Sequence, residues 1–296
     1  MSDLSIEALS HSQRERLAFI EFRLFFLDEL RRSDICEKFG TGPAGATRDI
    51  ALYRKLAPEN SQFDQKTKYY RLHQHFIPVF NHSTHRVLNT LLNGFGDGVY
   101  SLPPQINYIT PASLNTPCID ILSSVTRAIK KRKIIQIKYL SKSSGWSNRE
   151  IVPFALVSNG NRWHTRAYDR KTSEFRDFVL SRITESKVLE GLPSEKETAE
   201  SDVQWNRWVE LQLMPHPNQA FSEAVALDYG IEGRTLTVKL RAATAGYCLR
   251  QWNVDCSRDH RLKGPEFDLW LSNPLELYGV KSALIAPGYK IKEFEI

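Results

Sequence analysis

Asn161-Arg162-Trp163-His164-Thr165-Arg166-Ala167-Tyr168, followed by Phe175-Arg176-Asp177-Phe178-Val179-Leu180-Ser181-Arg182-Ile183, reads as two short strands separated by a polar turn at residues 169–174. Side chains alternate between the two faces of a strand. His164, Arg166 and Tyr168 therefore share one face, and Trp163, Thr165 and Ala167 the other. One face can pack into a small barrel. The other collects an imidazole, a guanidinium and a phenol, a set suited to an anionic or nucleotide-like ligand. A solvated sheet face with a few surface charges fits the same pattern.

Working outward, residues 119–131 predict an amphipathic helix with Ile119, Leu122, Val125 and Ile129 on one side. Strands are expected at 134–140, 150–157, 162–168 and 175–183, with a flexible turn at Ser141-Lys142-Ser143-Ser144-Gly145. Several short strands after one helix predict a small, strongly bent sheet or open barrel. This middle segment also carries the charge. Residues 120–192 hold fifteen Lys/Arg against seven Asp/Glu, or +8, whereas residues 193–296 hold twelve against fifteen, or −3, and the first eighty twelve against eleven, or +1. A basic patch points to nucleic acid or a phosphorylated ligand.

Toward the N-terminus, residues 12–30 predict a helix with two apolar stripes: Leu17, Ile20, Leu24 and Leu27, then Phe19, Phe22, Phe26 and Leu30. Two stripes imply burial on two sides, either against a partner subunit or at the centre of a small domain. A short helix at 32–39, a turn at Gly40-Thr41-Gly42-Pro43 and a third helix at 44–57 follow. Ala46, Ile50, Tyr53 and Ala57 would face inward, and Ala44, Arg48, Ala51 and Lys55 outward. Helix, short glycine turn, helix is the helix-turn-helix layout, and small residues alternating with basic ones let a helix lie close in a groove. Residues 60–70 read as a hairpin with Lys66 and Lys68 on its basic side, the wing of a winged helix; a generic three-helix fold also fits the helices.

A linking helix is expected at 83–92 and a proline-bearing linker at 101–117. Beyond a polar linker at 194–201, strands at 209–213 and 236–242 and a helix at 217–229 predict a small α+β domain without a chemical motif. At 296 residues two or three domains are expected. Cys36, Cys118, Cys248 and Cys256 are scattered, which favours reduced, mostly buried thiols in a cytoplasm. His73, His75, His82 and His85 offer no coherent metal-ligand spacing, so neither a metal nor a cofactor is expected. No apolar run is long enough for a membrane span, and the first residues do not read as a signal peptide.

The middle segment resembles the WYL domain of bacterial transcription regulators. The likeness rests on Ile137-Lys138-Tyr139, Ser143-Ser144-Gly145, Arg149 with Ile151-Val152-Pro153, Trp163-His164-Thr165-Arg166-Ala167-Tyr168, Phe175-Arg176-Asp177-Phe178 and Leu180-Ser181-Arg182-Ile183. The eponymous Trp-Tyr-Leu is Trp163-His164-Thr165 here, and His164 is similar to the subgroup of BrxR and CapW regulators of phage-defence operons. Ala57-Pro58-Glu59-Asn60, Met214-Pro215-His216-Pro217, Asp228-Tyr229-Gly230 and Tyr247-Cys248-Leu249-Arg250 extend the resemblance over nearly the whole chain. It implies an α+β multi-domain protein: a winged helix-turn-helix at 1–80, a linker with a connecting helix at 81–118, an Sm-like WYL barrel at 119–192, and a C-terminal α+β dimerisation domain at 200–296.

The implied function is a cytoplasmic homodimeric repressor, not an enzyme, that binds double-stranded operator DNA and senses a nucleotide or oligonucleotide effector. Arg48 is the expected base reader, since a bidentate arginine–guanine contact discriminates by about 1–3 kcal/mol. Thr41, Pro43, Ala44, Thr47, Lys55, Lys66, Lys68 and Arg71 complete the expected DNA face, mostly on phosphates. The expected effector residues are Tyr139, Ser143, Ser144, Arg149, His164, Arg166, Tyr168, Arg176 and Arg182, with Arg176 and Arg182 alternatively pairing Asp177 or Glu185. Two rivals remain at this point. A nuclease would need paired carboxylates or a nucleophile beside a base. An RNA or single-strand binder would use the basic barrel as its main site.

Overall fold

The computed structural model describes residue 6 and residues 9–93 and 114–291. The expected junction at 101–117 therefore lies largely outside the described residues. Two compact units divide the chain: Met1–Pro153 with Val179–Leu192, and Phe154–Phe178 with Pro193–Ile296.

In the first unit, α1 (His11–Phe22) starts at a Ser10 capping box with Gln13 and runs on into a widened turn, Arg23–Leu27, that ends at left-handed Asp28. The two stripes do not separate: Leu17, Ile20 and Leu24 of the first and Phe19 and Leu30 of the second pack with Ile35, Ala46, Ile50 and Tyr53 in one core. Beside it Phe25 stacks on Phe76 at 4.8 Å, and Phe26 of the second stripe meets the His82 ring edge-on at 5.3 Å. The helix is thus central to its own unit, with no partner subunit needed to cover it. Next come α2 (Arg32–Phe39) and α3 (Pro43–Leu56). Pro43 suits the first helical position because its missing N–H has no intrahelical acceptor there.

The hairpin follows as β1 (Ser61–Asp64) and β2 (Tyr69–Leu72), paired antiparallel from Ser61↔Leu72 to Asp64↔Tyr69. After α4 (Thr84–Asn93), α5 (Ile119–Lys131) opens the next segment. Burial of Glu21 ties these pieces together. This wholly buried carboxylate accepts from the Tyr53 hydroxyl, the Val79 and Phe80 amides and His82 Nε2, all at 2.8–2.9 Å.

A five-stranded sheet, in the order β6-β5-β4-β3-β7, is built from β3 (Ile135–Ser141), β4 (Gly145–Ser158), β5 (Trp163–Asp169), β6 (Glu174–Val179) and β7 (Ile183–Val188). The expected single strand at 175–183 is two strands separated by a 3₁₀ turn, Leu180–Arg182. Phe178, Val179 and Leu180 are buried in succession, which a strand with one wet face cannot do, so the chain turns. The order is linear: β6 and β7 are edges, so the sheet is open, as in the bent sheet or open barrel read from the sequence, and is not closed into the Sm-like barrel that the resemblance implied.

In the second unit, α6 (Val203–Asn206) precedes β8 (Trp208–Pro215), α7 (Ser222–Tyr229), β9 (Leu236–Arg241), α8 (Ala242–Gln251) and β10 (Leu269–Leu271). A three-stranded sheet, β10-β8-β9, packs on α8 through Leu211, Leu213, Ala245, Leu249 and Leu271. The four cysteines are free, but only Cys256 is buried; Cys118 is exposed and the other two are intermediate, against the expectation of mostly buried thiols.

Candidate nucleic-acid interface and ligand-binding residues

The inward residues of α3 read from periodicity, Ala46, Ile50, Tyr53 and Ala57, are all buried. Asp49, also buried, holds Arg16 of α1 through Nε at 2.7 Å and so fixes the helix's rotation. That rotation turns Pro43, Ala44, Thr47, Arg48, Ala51 and Lys55 outward, all exposed. Arg48 and Lys55 form no ion pair among the described residues, which leaves both guanidinium and ammonium for an external anion. Arg54, on the same stripe and missed from the sequence, lies with its guanidinium 6.0 Å over the Tyr70 ring. Its position seven residues after Thr47, two helical turns on, carried the signal.

Other expected DNA contacts are more constrained. Thr47 Oγ1 donates to the Pro43 carbonyl at 2.9 Å, so its proton is committed within the helix. Thr41 is half-buried over the start of α3, where a Cβ on Gly45 would come 2.5 Å from Thr41 Oγ1. At the hairpin tip Asp64 accepts from the Thr67 hydroxyl at 2.6 Å and the Lys66 amide at 2.9 Å, which hold its carboxyl below the usual range. Lys66 and Lys68 project from that braced turn, both exposed. Arg71 does not join them. It is half-buried, pairs with Glu29 at 3.3 Å, and lies 4.6 Å over Tyr69, whose ring also carries Arg31 at 3.9 Å.

The expected effector residues fall in both units. In the first, the hairpin register sets Tyr139 opposite Ser147 and Ile137 opposite Arg149, so Tyr139 and Arg149 share one face. Tyr139 is buried and accepts from the Val179 amide at 3.4 Å; Arg149 donates to Ser147 Oγ at 3.1 Å. Ser143 and Ser144 are exposed in the turn, their amides donating to Ser141 Oγ at 3.2 and 3.3 Å. Arg182 is half-buried in the 3₁₀ turn.

In the second unit β5 is covered on both faces, so alternation there does not separate a wet face from a dry one. His164 stacks on Tyr247 at 5.3 Å, and Tyr168 meets Phe175 edge-on at 5.1 Å. Arg166 is already paired. Its Nε and Nη2 donate to the two Asp202 oxygens at 2.8 and 3.2 Å, and Nη1 donates to Asp177 at 3.2 Å. Burial works against its charge, but the Asp202 and Asp177 carboxylates outweigh burial and hold the guanidinium above its usual range. The Tyr247 hydroxyl completes the set, donating to Asp177 at 2.8 Å, its own ionisation pushed up by burial and then by Asp177. Arg176 pairs with Glu174 at 2.9 Å, not with Asp177 or Glu185; Lys138 takes Glu185 at 2.7 Å. Asp202 and Tyr247, more than thirty residues from β5, were invisible to local periodicity.

Three family models match successive segments of the chain. The BrxR transcriptional regulator winged helix-turn-helix domain matches residues 12–93, the WYL domain 120–188, and the BrxR C-terminal dimerization domain 208–277. The DNA-binding transcriptional repressor CapW of Escherichia coli (strain KTE188) is 31% identical over 284 residues, covering 90% of this chain and 91% of that protein. CapW of Pseudomonas aeruginosa is 33% identical over 82% of this chain and 83% of its own. Among solved structures, proteasome accessory factor B/C of Arthrobacter aurescens aligns with 96% of this chain and 49% of that one, at 14% identity and a TM-score of 0.26, which bears on neither arrangement nor function. On these matches the chain belongs to the BrxR/CapW family of transcriptional regulators.

Proposed function

We propose that this chain is a homodimeric DNA-binding repressor, a regulator with no catalytic role, working in the cytoplasm. Two copies of α3 enter successive major grooves, about 34 Å apart, at an inverted-repeat operator of a phage-defence operon. The observation that carries this reading is the exposed α3 stripe, in which small Ala44 and Ala51 flank Arg48, unpaired among the described residues, and allow close approach to base edges. Arg48 reads a base; Lys55, Lys66 and Lys68 hold phosphates. Dimerisation falls to residues 200–296, and the WYL segment at 119–192 senses a nucleotide or nucleic-acid fragment. Arg166 and Arg176 already hold carboxylates, and the residues proposed for the effector's phosphates are those of the Ser143–Ser144 turn with Arg149 and Arg182.

A mobility-shift titration tests it, using DNA upstream of the chain's own operon against random duplex across a salt series. Arg48→Ala should lose about 1–3 kcal/mol on the operator and little on random DNA. Lys66→Ala should weaken both alike and flatten the salt slope by about 1. Weak wild-type binding that ignores sequence overturns the repressor reading and makes single-stranded RNA the next probe.

A further inference from the structure

A cavity of about 790 Å³ in the first unit lies away from the α3 stripe and from the expected effector residues. Its walls come from three places: the wing strand and its exit (Arg71, His73), the end of α5 (Arg127, Lys131), and β7 with the segment after it (Ser186, Glu190). Arg127 is the informative side chain. Its Nη1 donates to the Phe25 carbonyl at 2.9 Å and to the Ser123 hydroxyl, so no carboxylate contacts this largely buried guanidinium. Nε and Nη2 keep their donors uncommitted among the described residues. His73 Nδ1 is buried without a hydrogen-bond partner.

The facing acids are accounted for. Asp28 accepts from the Leu72 amide at 2.8 Å and pairs with Lys131; Glu29 is shared between Arg71 and Lys130. Glu190 lines the rim, and Asp120 acts on Arg127 only through space, so among the described residues no acid is hydrogen-bonded to that guanidinium. Burial pulls both Arg127 and Lys131 below their usual ranges, against the opposing pull of Asp120 on the first and Glu190 on the second.

We propose that this cavity binds a phosphate-bearing ligand of mononucleotide size, held by Arg127, Lys131 and Arg71. The volume suits such a ligand. Planar guanidinium forks match phosphate oxygens. Because the wing supplies one wall and α5 and β7 the others, occupancy clamps the wing to the WYL segment. The site does not depend on DNA binding, so its test is separate from that of the repressor reading.

Isothermal titration calorimetry of the full chain with ADP, pyrophosphate and adenosine decides it. ADP and pyrophosphate should bind and adenosine should not. Lys131→Gln, and independently Ser186→Asp, which sets a carboxylate at the rim without touching the core, should each weaken ADP by about tenfold or more. Arg48→Ala on the DNA face should leave ADP binding unchanged. Absence of binding by both phosphate ligands overturns the proposal. So does ADP binding that both cavity variants leave intact, because it then lies elsewhere.

Discussion

Replacing Arg166 with Met distinguishes a structural guanidinium from a ligand arm. The side chain is 7% exposed and forms three hydrogen bonds to Asp202 and Asp177, themselves 2% and 12% exposed. Removing one partner of such a set leaves buried charge uncompensated, at about 3–5 kcal/mol. The lower end applies. Asp202 retains the Gln204 and Trp205 amides at 3.0 and 3.2 Å, and Asp177 retains the Tyr247 hydroxyl. The expected loss is therefore about 3 kcal/mol, or roughly 1–1.5 M in urea midpoint for a slope of about 2–3 kcal/mol/M. Trp205, Trp208, Trp252 and Trp270 all lie in the second unit and report its unfolding by fluorescence. Adding Asp202→Asn should cost less than the sum of the single changes, because the second change removes a charge the first had stranded. A midpoint shift below about 0.3 M, with effector response abolished, would refute the structural role and restore Arg166 to the ligand site.

Glu21→Gln turns an amide toward a pocket of four donors and should destabilise the first unit by about 2–3 kcal/mol in thermal or urea unfolding, leaving operator affinity per folded molecule unchanged. Glu197 is hydrogen-bonded first by Arg170, both contacts at 2.8 Å, and by the Ser194 amide; its carboxyl is held below the ordinary 4.5. A depressed folded-state value stabilises above the unfolded value and is lost as pH falls through the folded one. The stability gap between wild type and Glu197→Gln should accordingly narrow as pH is lowered through about 4 and below; a gap constant from pH 6 to 3 would contradict the assignment. Gly246→Ala would set a Cβ 1.8 Å from the Ser282 carbonyl oxygen, backbone that cannot rotate away, and should cost about 3 kcal/mol or more in urea unfolding.

Strongly periodic helices were legible. The helix at 119–131 has the predicted limits, and the inward face of α3 was read residue by residue, because one apolar stripe per helix suffices to set its rotation. Where contrast vanished, so did the reading. Ala242-Ala243-Thr244-Ala245-Gly246-Tyr247-Cys248 shows no polar face, so nothing in the period of these residues marks α8. Its small residues are there for close approach to the turn Lys281–Ile285, a tertiary requirement that weakens the helical signal. The strand pattern failed for the opposite reason: β5 is covered on both faces, so period two no longer sorts polar from apolar surroundings.

The candidate sites divide along the same physical line. Exposed cations on one helix face, such as Arg48 and Lys55, are placed by local geometry alone, and their accessibility could be read from spacing. Whether a cation inside the fold is available depends on carboxylates far away in sequence. Arg166 resembles a phosphate arm until Asp202, thirty-six residues on, takes it. Arg71 resembles a wing contact until Glu29, forty-two residues back, turns it inward. Arg127 is the converse. In sequence it belongs to a helix of ordinary surface charge, but the fold sets it against a carbonyl and a hydroxyl, with no acid in contact among the described residues. Charge counted along the chain locates the basic segment. Only the pairing of each cation separates those that already hold an acid, such as Arg166 and Arg71, from Arg127, which no carboxylate contacts among the described residues.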